Sequence, residues 1–237
     1  MARCVTVGTD VASSRRAVAL AEAHPGLWAA VGVSPNDLEG FDTGSVQALR
    51  QLCRSDRVVA IGETGLDYYW MRATKDRQVQ AFREQLDLAA ELSLPVVIHV
   101  RDAFDDALSV LSAWAPASSC SGGGGARGVM HCFTGDQRTA DAVVDTGYLI
   151  SFAGNVTYPA SAPLRSVAAA VDPAAFVLET DAPYLAPEGR RGKRNEPAAV
   201  LRVAQAVAEV RGVPLEEVCR ASSTNAARLF GWLPWPS

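Results

Sequence analysis

Residues 58–69, VVAIGETGLDYY, decide the fold class of this 237-residue chain. A nearly unbroken apolar run leads into the carboxylate of Glu63, and a Gly-containing turn and Asp67 follow at once. Such a run is typical of a parallel strand that is buried on both faces. An acid at the end of that strand is costly unless a cation, a proton or hydrogen bonds compensate it. We therefore interpret Glu63 as a functional carboxylate at the end of a buried strand.

The same arrangement recurs three times further along the chain. PVVIHVRD ends its apolar run at His99, GVMHCF carries His131, and AFVLETDAPYL reaches Asp181. In open α/β sheets and in TIM barrels, ligands bind at the carboxyl ends of the strands. The pattern therefore predicts that Glu63 and these three residues converge in space.

Strand-like and helix-like segments alternate along the whole chain, which favours a parallel sheet with crossover helices. About seven strands can be counted, whereas a TIM barrel has eight in typically about 250 residues. We predict a TIM-barrel (β/α) hydrolase fold that lacks its first strand, in a single domain over residues 1–237. An open doubly wound sheet is the alternative, although its Gly-rich first turn is missing. The Gly/Ser-rich residues 115–128 are predicted to form a surface connection.

Composition limits the classes of partner. The net charge is −4 and the pI is about 5.4, whereas a protein that coats nucleic acid without specificity is usually basic. Any nucleic-acid contact is therefore expected at a local basic patch. No apolar run approaches the roughly 18 residues of a membrane span, and the start lacks a signal-peptide pattern. The five cysteines form no CxxC pair, which predicts reduced thiols in a cytoplasmic protein.

The four strand-end residues are chemically suited to a metal ion. Carboxylate and imidazole ligands suit zinc, manganese, iron or nickel, and carboxylates with water suit magnesium. Each residue also has a purely structural alternative. In these alternatives, Glu63 would pair with an arginine, each histidine would bond a backbone carbonyl in the core, and Asp181 would cap the turn before Pro183.

Further side chains are predicted at the same face. Four of them are candidates for binding substrate phosphates by charge and hydrogen bonds: Arg101, Lys193, Arg194 and Asn195. The last three lie in the loop PEGRRGKRNEP, for which a solvated basic turn is the alternative. Tyr68, Tyr69 and Trp70 offer stacking surfaces to bases or are ordinary wall residues.

Five segments, AIGETGLDYY, PVVIHVRDA, HCFTG, ETDAPYLAP and GKRNEP, resemble the TatD family of metal-dependent hydrolases, which have an amidohydrolase-like TIM barrel. The resemblance implies a divalent-metal phosphoesterase, usually a deoxyribonuclease with exonuclease activity. By motif, Glu63 is the carboxylate shared by two metals, and His99 and His131 bind one of them. Asp181 binds the other and handles the proton of the attacking water.

The chain departs from the family pattern at its start. The family begins with a strand that carries His-x-His, and the histidines of this chain are His24, His99 and His131 alone. Ser34 stands where the family commonly has histidine. Either the start lies inside a longer reading frame, or the protein is truly shortened. The resemblance implies one or two divalent ions, which are magnesium, manganese or zinc. For this chain we expect one tightly bound ion at most, held by Glu63, His99 and His131.

The expected function is hydrolysis of phosphodiester bonds in DNA, with Glu63 and Asp181 as catalytic residues. Two alternatives stay open. One is a barrel that has lost its chemistry and serves as a binding or scaffold protein. The other is a hydrolase of small amides or esters. We further expect a cytoplasmic monomer without a membrane partner.

Overall fold

The computed structural model describes residues 3–114 and 126–232, so most of the predicted connection at residues 115–128 lies outside the described residues. Strands and helices alternate as predicted. The strands are β1 (Cys4–Val7), β2 (Leu27–Val31), β3 (Val58–Asp67), β4 (Val96–Arg101), β5 (Gly128–Met130), β6 (Tyr148–Phe152) and β7 (Phe176–Leu178). The helices are α1 (Val11–Ala23), α2 (Thr43–Leu52), α3 (Lys75–Leu92), α4 (Phe104–Ala113), α5 (Gln137–Asp145), α6 (Ala162–Ala170), α7 (Val200–Arg211) and α8 (Leu215–Leu229). Short 3₁₀ segments occupy Gly154–Thr157, Pro173–Ala175 and Pro197–Ala199.

The sheet of the described residues contains seven strands in the order of the sequence. The pairs β1–β2, β2–β3, β3–β4 and β6–β7 are all parallel. Successive parallel strands require a crossover, and the helices supply it. The predicted parallel α/β organisation and strand count are confirmed.

The described residues form two compact units. The first unit comprises residues 3–114, 126–129 and 229–231, and its core includes Ala30 and Ile61, which are fully buried on β2 and β3. The second unit comprises residues 130–228 and 232. There β6 is buried throughout, and the rings of Phe152 and Phe176 lie 5.9 Å apart. Within residues 3–114 and 126–232, no helix combines the length and apolar character needed to cross a membrane.

Helix α3 fixes the carboxyl half of β3. Its core face carries the buried apolar Phe82 and also two fully buried amides, Gln78 and Gln85. The Gln78 side chain accepts the Asp67 N–H at 2.7 Å and donates to the Asp67 carbonyl at 3.0 Å. Gln85 donates to the Thr64 hydroxyl at 2.8 Å. Because buried amides are costly unless they are bonded, these contacts hold the end of β3 in place.

The predicted end of β3 at Glu63 is wrong, because the strand continues to Asp67. Gly65, interpreted from sequence as part of a turn, is paired with His99 of β4. Its φ of +134° favours glycine, and a Cβ there would lie 2.0 Å from the His99 carbonyl oxygen. The glycine therefore allows close approach of two backbones rather than a turn.

Candidate metal centre

Strand β3 presents two carboxylates to one imidazole of β4. Alternate residues of a strand face the same side, so Gly65 and Asp67 share a face, and Glu63 lies at the register shift between Ile61 and Thr64. His99 is paired with Gly65, between the two acids. Because Gly65 has no side chain, the imidazole reaches both carboxylates.

The two nitrogens of His99 have different neighbours. Nε2 lies 3.0 Å from Oδ2 of Asp67, which is a hydrogen bond. Nδ1 lies 3.8 Å from Oε1 of Glu63, which is too long for one. That separation suits two ligands of one ion, since each bonds a metal such as zinc at about 2.0–2.2 Å. A carboxylate on the far nitrogen of a metal-binding histidine fixes its tautomer and its orientation, and Asp67 is placed for this task.

Asp67 is buried and accepts several hydrogen bonds within the first unit. Its side chain is 1% exposed. It accepts hydrogen bonds from Asn36 Nδ2 at 2.9 Å, from the Tyr69 N–H at 3.0 Å and from the Trp70 N–H at 2.9 Å. Burial alone would raise the pKa of Asp67, but the hydrogen bonds from His99, the Trp70 N–H and Asn36 bring it well below its ordinary value. Asp67 is therefore a carboxylate at neutral pH.

This pKa shift predicts how stability depends on pH. An aspartate with a lowered folded-state pKa stabilises the fold above its unfolded pKa, about 3.9, and this contribution is lost as the pH falls below it. The free energy of unfolding is measured with urea from neutral pH down about four pH units. We expect it to fall more steeply with decreasing pH for the wild type than for Asp67→Asn. Asp56→Asn, which removes an exposed carboxylate of the same unit, should keep the wild-type slope. Equal slopes for the wild type and Asp67→Asn would contradict the assignment.

Two hydrogen bonds within the first unit hold the side chain and the backbone of Glu63 in place. Its Oε1 accepts the hydroxyl of the buried Ser34 at 3.0 Å, and its backbone N–H donates to the Gly8 carbonyl at 2.9 Å. Ser34 stands where the family resemblance predicts histidine. In this chain the residue at that position is thus a hydrogen-bond donor to the carboxylate.

In the second unit, His131 directly follows β5 and faces a carboxylate that sequence reasoning overlooked. Oε2 of Glu179 lies 3.6 Å from His131 Nδ1, and the Cys132 N–H donates to Oε1. Burial alone would raise the pKa of Glu179, but His131 and the Cys132 N–H lower it. His99 and His131 thus each have a carboxylate partner. For Asp67 the available signal was its spacing of four from Glu63, and for Glu179 its place directly after β7.

Three predicted ligands meet the distance requirement for a metal site. One ligand atom each from Glu63, His99 and His131 lies within 4.8 Å of the other two. Among the described residues no such group includes Asp181. Asp181 has a φ of +56°, and its carbonyl accepts the Tyr184 N–H at 2.7 Å, so its backbone forms a turn.

The four predicted phosphate-binding residues differ in exposure. Lys193 and Arg194 are exposed, and so is Arg101, which stacks on Tyr69. Asn195 is only 4% exposed, and its Nδ2 donates to the carbonyls of Thr180 and Tyr184 at 2.8 Å each. Asn195 therefore shapes the loop that follows Asp181, and Lys193 and Arg194 project from that loop.

Solved structures with the same fold support the predicted architecture. The chain resembles the crystal structure of YjjV, a TatD homologue from Escherichia coli K12, with a TM-score of 0.90 and 33% sequence identity. The likeness covers 99% of this chain and 88% of the other. The predicted α/β TIM-barrel hydrolase fold is confirmed.

Sequence relatives point in the same direction. The chain is 36% identical to YabD of Bacillus subtilis (strain 168), named an uncharacterized metal-dependent hydrolase, over 96% of this chain and 87% of YabD. It is 38% identical to a protein of Erwinia billingiae (strain Eb661) named 3'-5' ssDNA/RNA exonuclease TatD, over 94% of this chain and 85% of that protein. The model of the family described as TatD related DNase matches residues 1–231. The chain is therefore a member of the TatD family of metal-dependent hydrolases.

Proposed function

We propose that this hydrolase uses a divalent metal ion to cleave phosphodiester bonds in DNA. The observation that carries the proposal is the cluster of Glu63, His99 and His131 ligand atoms within 4.8 Å of one another. The name of the Erwinia billingiae relative, a 3'-5' ssDNA/RNA exonuclease, supports a nucleic-acid substrate.

The donor set fits a divalent ion. One carboxylate and two imidazoles are common catalytic ligands, and each imidazole has a carboxylate neighbour to orient it. When bound, a magnesium, manganese or zinc ion supplies a Lewis acid for a phosphoryl oxygen and lowers the pKa of water. In this proposal Glu63, His99 and His131 hold the ion, while Asp67 keeps the His99 ring in its orientation.

The remaining predicted residues take roles in binding and proton transfer. Asp181 adds a carboxylate that accepts the proton of the attacking water or binds a second ion. Arg101, Lys193 and Arg194 bind phosphates of the strand, because exposed cationic side chains can reach them without displacing a core contact. Asn195 acts indirectly by holding the loop backbone.

Metal-dependent nucleotide release tests this function. The purified chain is stripped with EDTA and incubated with end-labelled single-stranded DNA, with and without added magnesium or manganese. We expect mononucleotides only when metal is present. DNA binding without turnover would favour the scaffold alternative. Cleavage confined to small amides or esters would favour the other alternative.

The basic loop gives a separate prediction. Arg194→Ala should weaken DNA binding and reduce the slope of log K against log salt concentration by roughly 0.7–1, because one phosphate contact is lost. Metal content should stay the same. Arg138→Ala, which removes an exposed arginine from α5 of the same unit, serves as the matched control. A salt slope equal to that of the wild type would identify the loop as a solvated turn.

Three broader properties complete the proposal. We propose one TatD-type domain, which the family match over residues 1–231 supports. A cytoplasmic location is supported by Cys4, Cys53 and Cys219, which form no disulfide bond within the part of the chain that the structure describes. We also propose that the protein is a monomer, which would elute in size-exclusion chromatography with the mass of a single chain, 25.1 kDa.

A further inference from the structure

Two aromatic rings stand exposed directly after β3. Tyr69 and Trp70 are each 55% exposed, and the neighbouring Met71 is 44% exposed. The two rings are perpendicular, with centroids 5.0 Å apart. Exposed apolar groups that are contiguous, rather than scattered singly, mark binding surfaces. These residues therefore form a candidate binding surface in the first unit.

Arg101 gives this surface its charge. Its guanidinium carbon lies 3.8 Å from the centroid of the Tyr69 ring and 5.7 Å from that of Trp70. A stacked guanidinium uses its face for the ring, while its N–H donors point outward in its plane and match phosphate oxygens. The surface thus joins aromatic faces to a phosphate donor, which is the chemistry of a nucleotide site.

A single carboxylate connects this surface to the metal centre. Oδ1 of Asp67 accepts the N–H groups of both Tyr69 and Trp70, while Oδ2 bonds His99 Nε2 at 3.0 Å. An aspartate that binds the N–H groups two and three residues on fixes a turn. The aromatic pair is therefore held rigidly beside a predicted metal ligand, so a strand that reaches the centre passes close to it.

We propose that Tyr69, Trp70 and Arg101 form a platform for one unpaired nucleotide of a single-stranded nucleic acid. Its base stacks on Trp70, and Arg101 binds its phosphate while stacked on Tyr69. In a duplex both faces of a base are covered by its neighbours, so the platform selects single strands. The inference rests on the proposed phosphodiesterase function and assigns the part of the substrate that this surface recognises.

The test is a binding measurement with turnover blocked by EDTA. A fluorescently labelled single-stranded oligothymidylate, an abasic strand of equal length and a duplex are titrated against the wild type. Trp70→Ala should weaken oligothymidylate binding roughly 5- to 150-fold, because base–aromatic stacking is worth about 1–3 kcal/mol. It should leave binding of the abasic strand unchanged. Trp70→Phe should recover most of the affinity, since a ring remains.

The control is Leu20→Ala, which removes an apolar side chain of α1 that is 48% exposed. It should bind every strand like the wild type. The platform is overturned if Trp70→Ala binds oligothymidylate like the wild type, or if the wild type binds the abasic strand or the duplex as tightly as oligothymidylate. Base-dependent binding without metal-dependent cleavage would sink the proposed hydrolysis but not the platform. Cleavage with an unaffected Trp70→Ala would sink the platform alone.

Discussion

Replacing Glu63 with glutamine is expected to lower the rate of DNA hydrolysis by roughly 10²- to 10⁴-fold, because metal stabilisation of the transition state is worth several kcal/mol. Glu63 is the only carboxylate of the three-ligand cluster, and a neutral amide is a much poorer ligand for a divalent ion. The shape of the site should persist, since the amide oxygen still accepts the Ser34 hydroxyl.

The measurement is kcat on single-stranded DNA at saturating magnesium or manganese. Glu39→Gln is the matched control, because Glu39 is an exposed glutamate of the same unit outside the site. It should retain wild-type activity. A Glu63→Gln protein that stays folded and turns over within a fewfold of the wild type would remove Glu63 from the proposed mechanism.

Removing the Asp67 carboxylate, which bonds the His99 ring, should strongly weaken metal binding. Asp67→Ala is expected to lower metal affinity by about 10–100-fold, which is typical when the partner of a ligating histidine is lost. It should also destabilise the fold by about 1–3 kcal/mol, because the part-buried donors of Asn36 and of the following turn lose their acceptor.

Manganese titration calorimetry and urea unfolding separate these two effects. Asp67→Asn keeps an acceptor oxygen but loses the charge, so it should lose metal affinity with a smaller loss of stability than Asp67→Ala. Wild-type manganese affinity in both variants would show that Asp67 serves the fold alone.

The sequence was sufficient to predict the parallel α/β architecture. Buried parallel strands appear in it as continuous apolar runs, and helix-like segments separate them. It was less reliable at the ends of those strands. Gly65 resembles a turn residue, and its true task, admitting the His99 backbone at close range, depends on the neighbouring strand. Such a contact is set by strand register, which a single segment does not encode.

Glu63, His99 and His131 could be predicted as candidate ligands because each interrupts or follows an apolar run. The carboxylates that orient the two histidines could not be predicted in this way. Asp67 ends β3 and Glu179 directly follows β7, positions that many acids share, and their distances to His99 and His131 reveal their tasks. Asn195 has contacts that its place in the sequence does not indicate. It lies beside Lys193 and Arg194 in sequence, yet its buried amide binds the loop backbone.

The number of manganese ions bound by the chain after EDTA treatment and dialysis decides whether the metal centre exists. Calorimetry and elemental analysis should both give one tightly bound ion per wild-type chain, and His131→Ala should lose it. Leu201→Ala, an exposed α7 variant of the same unit as His131, should keep it. A wild type that binds no ion, or a His131→Ala protein that binds it undiminished, would contradict the centre formed by Glu63, His99 and His131.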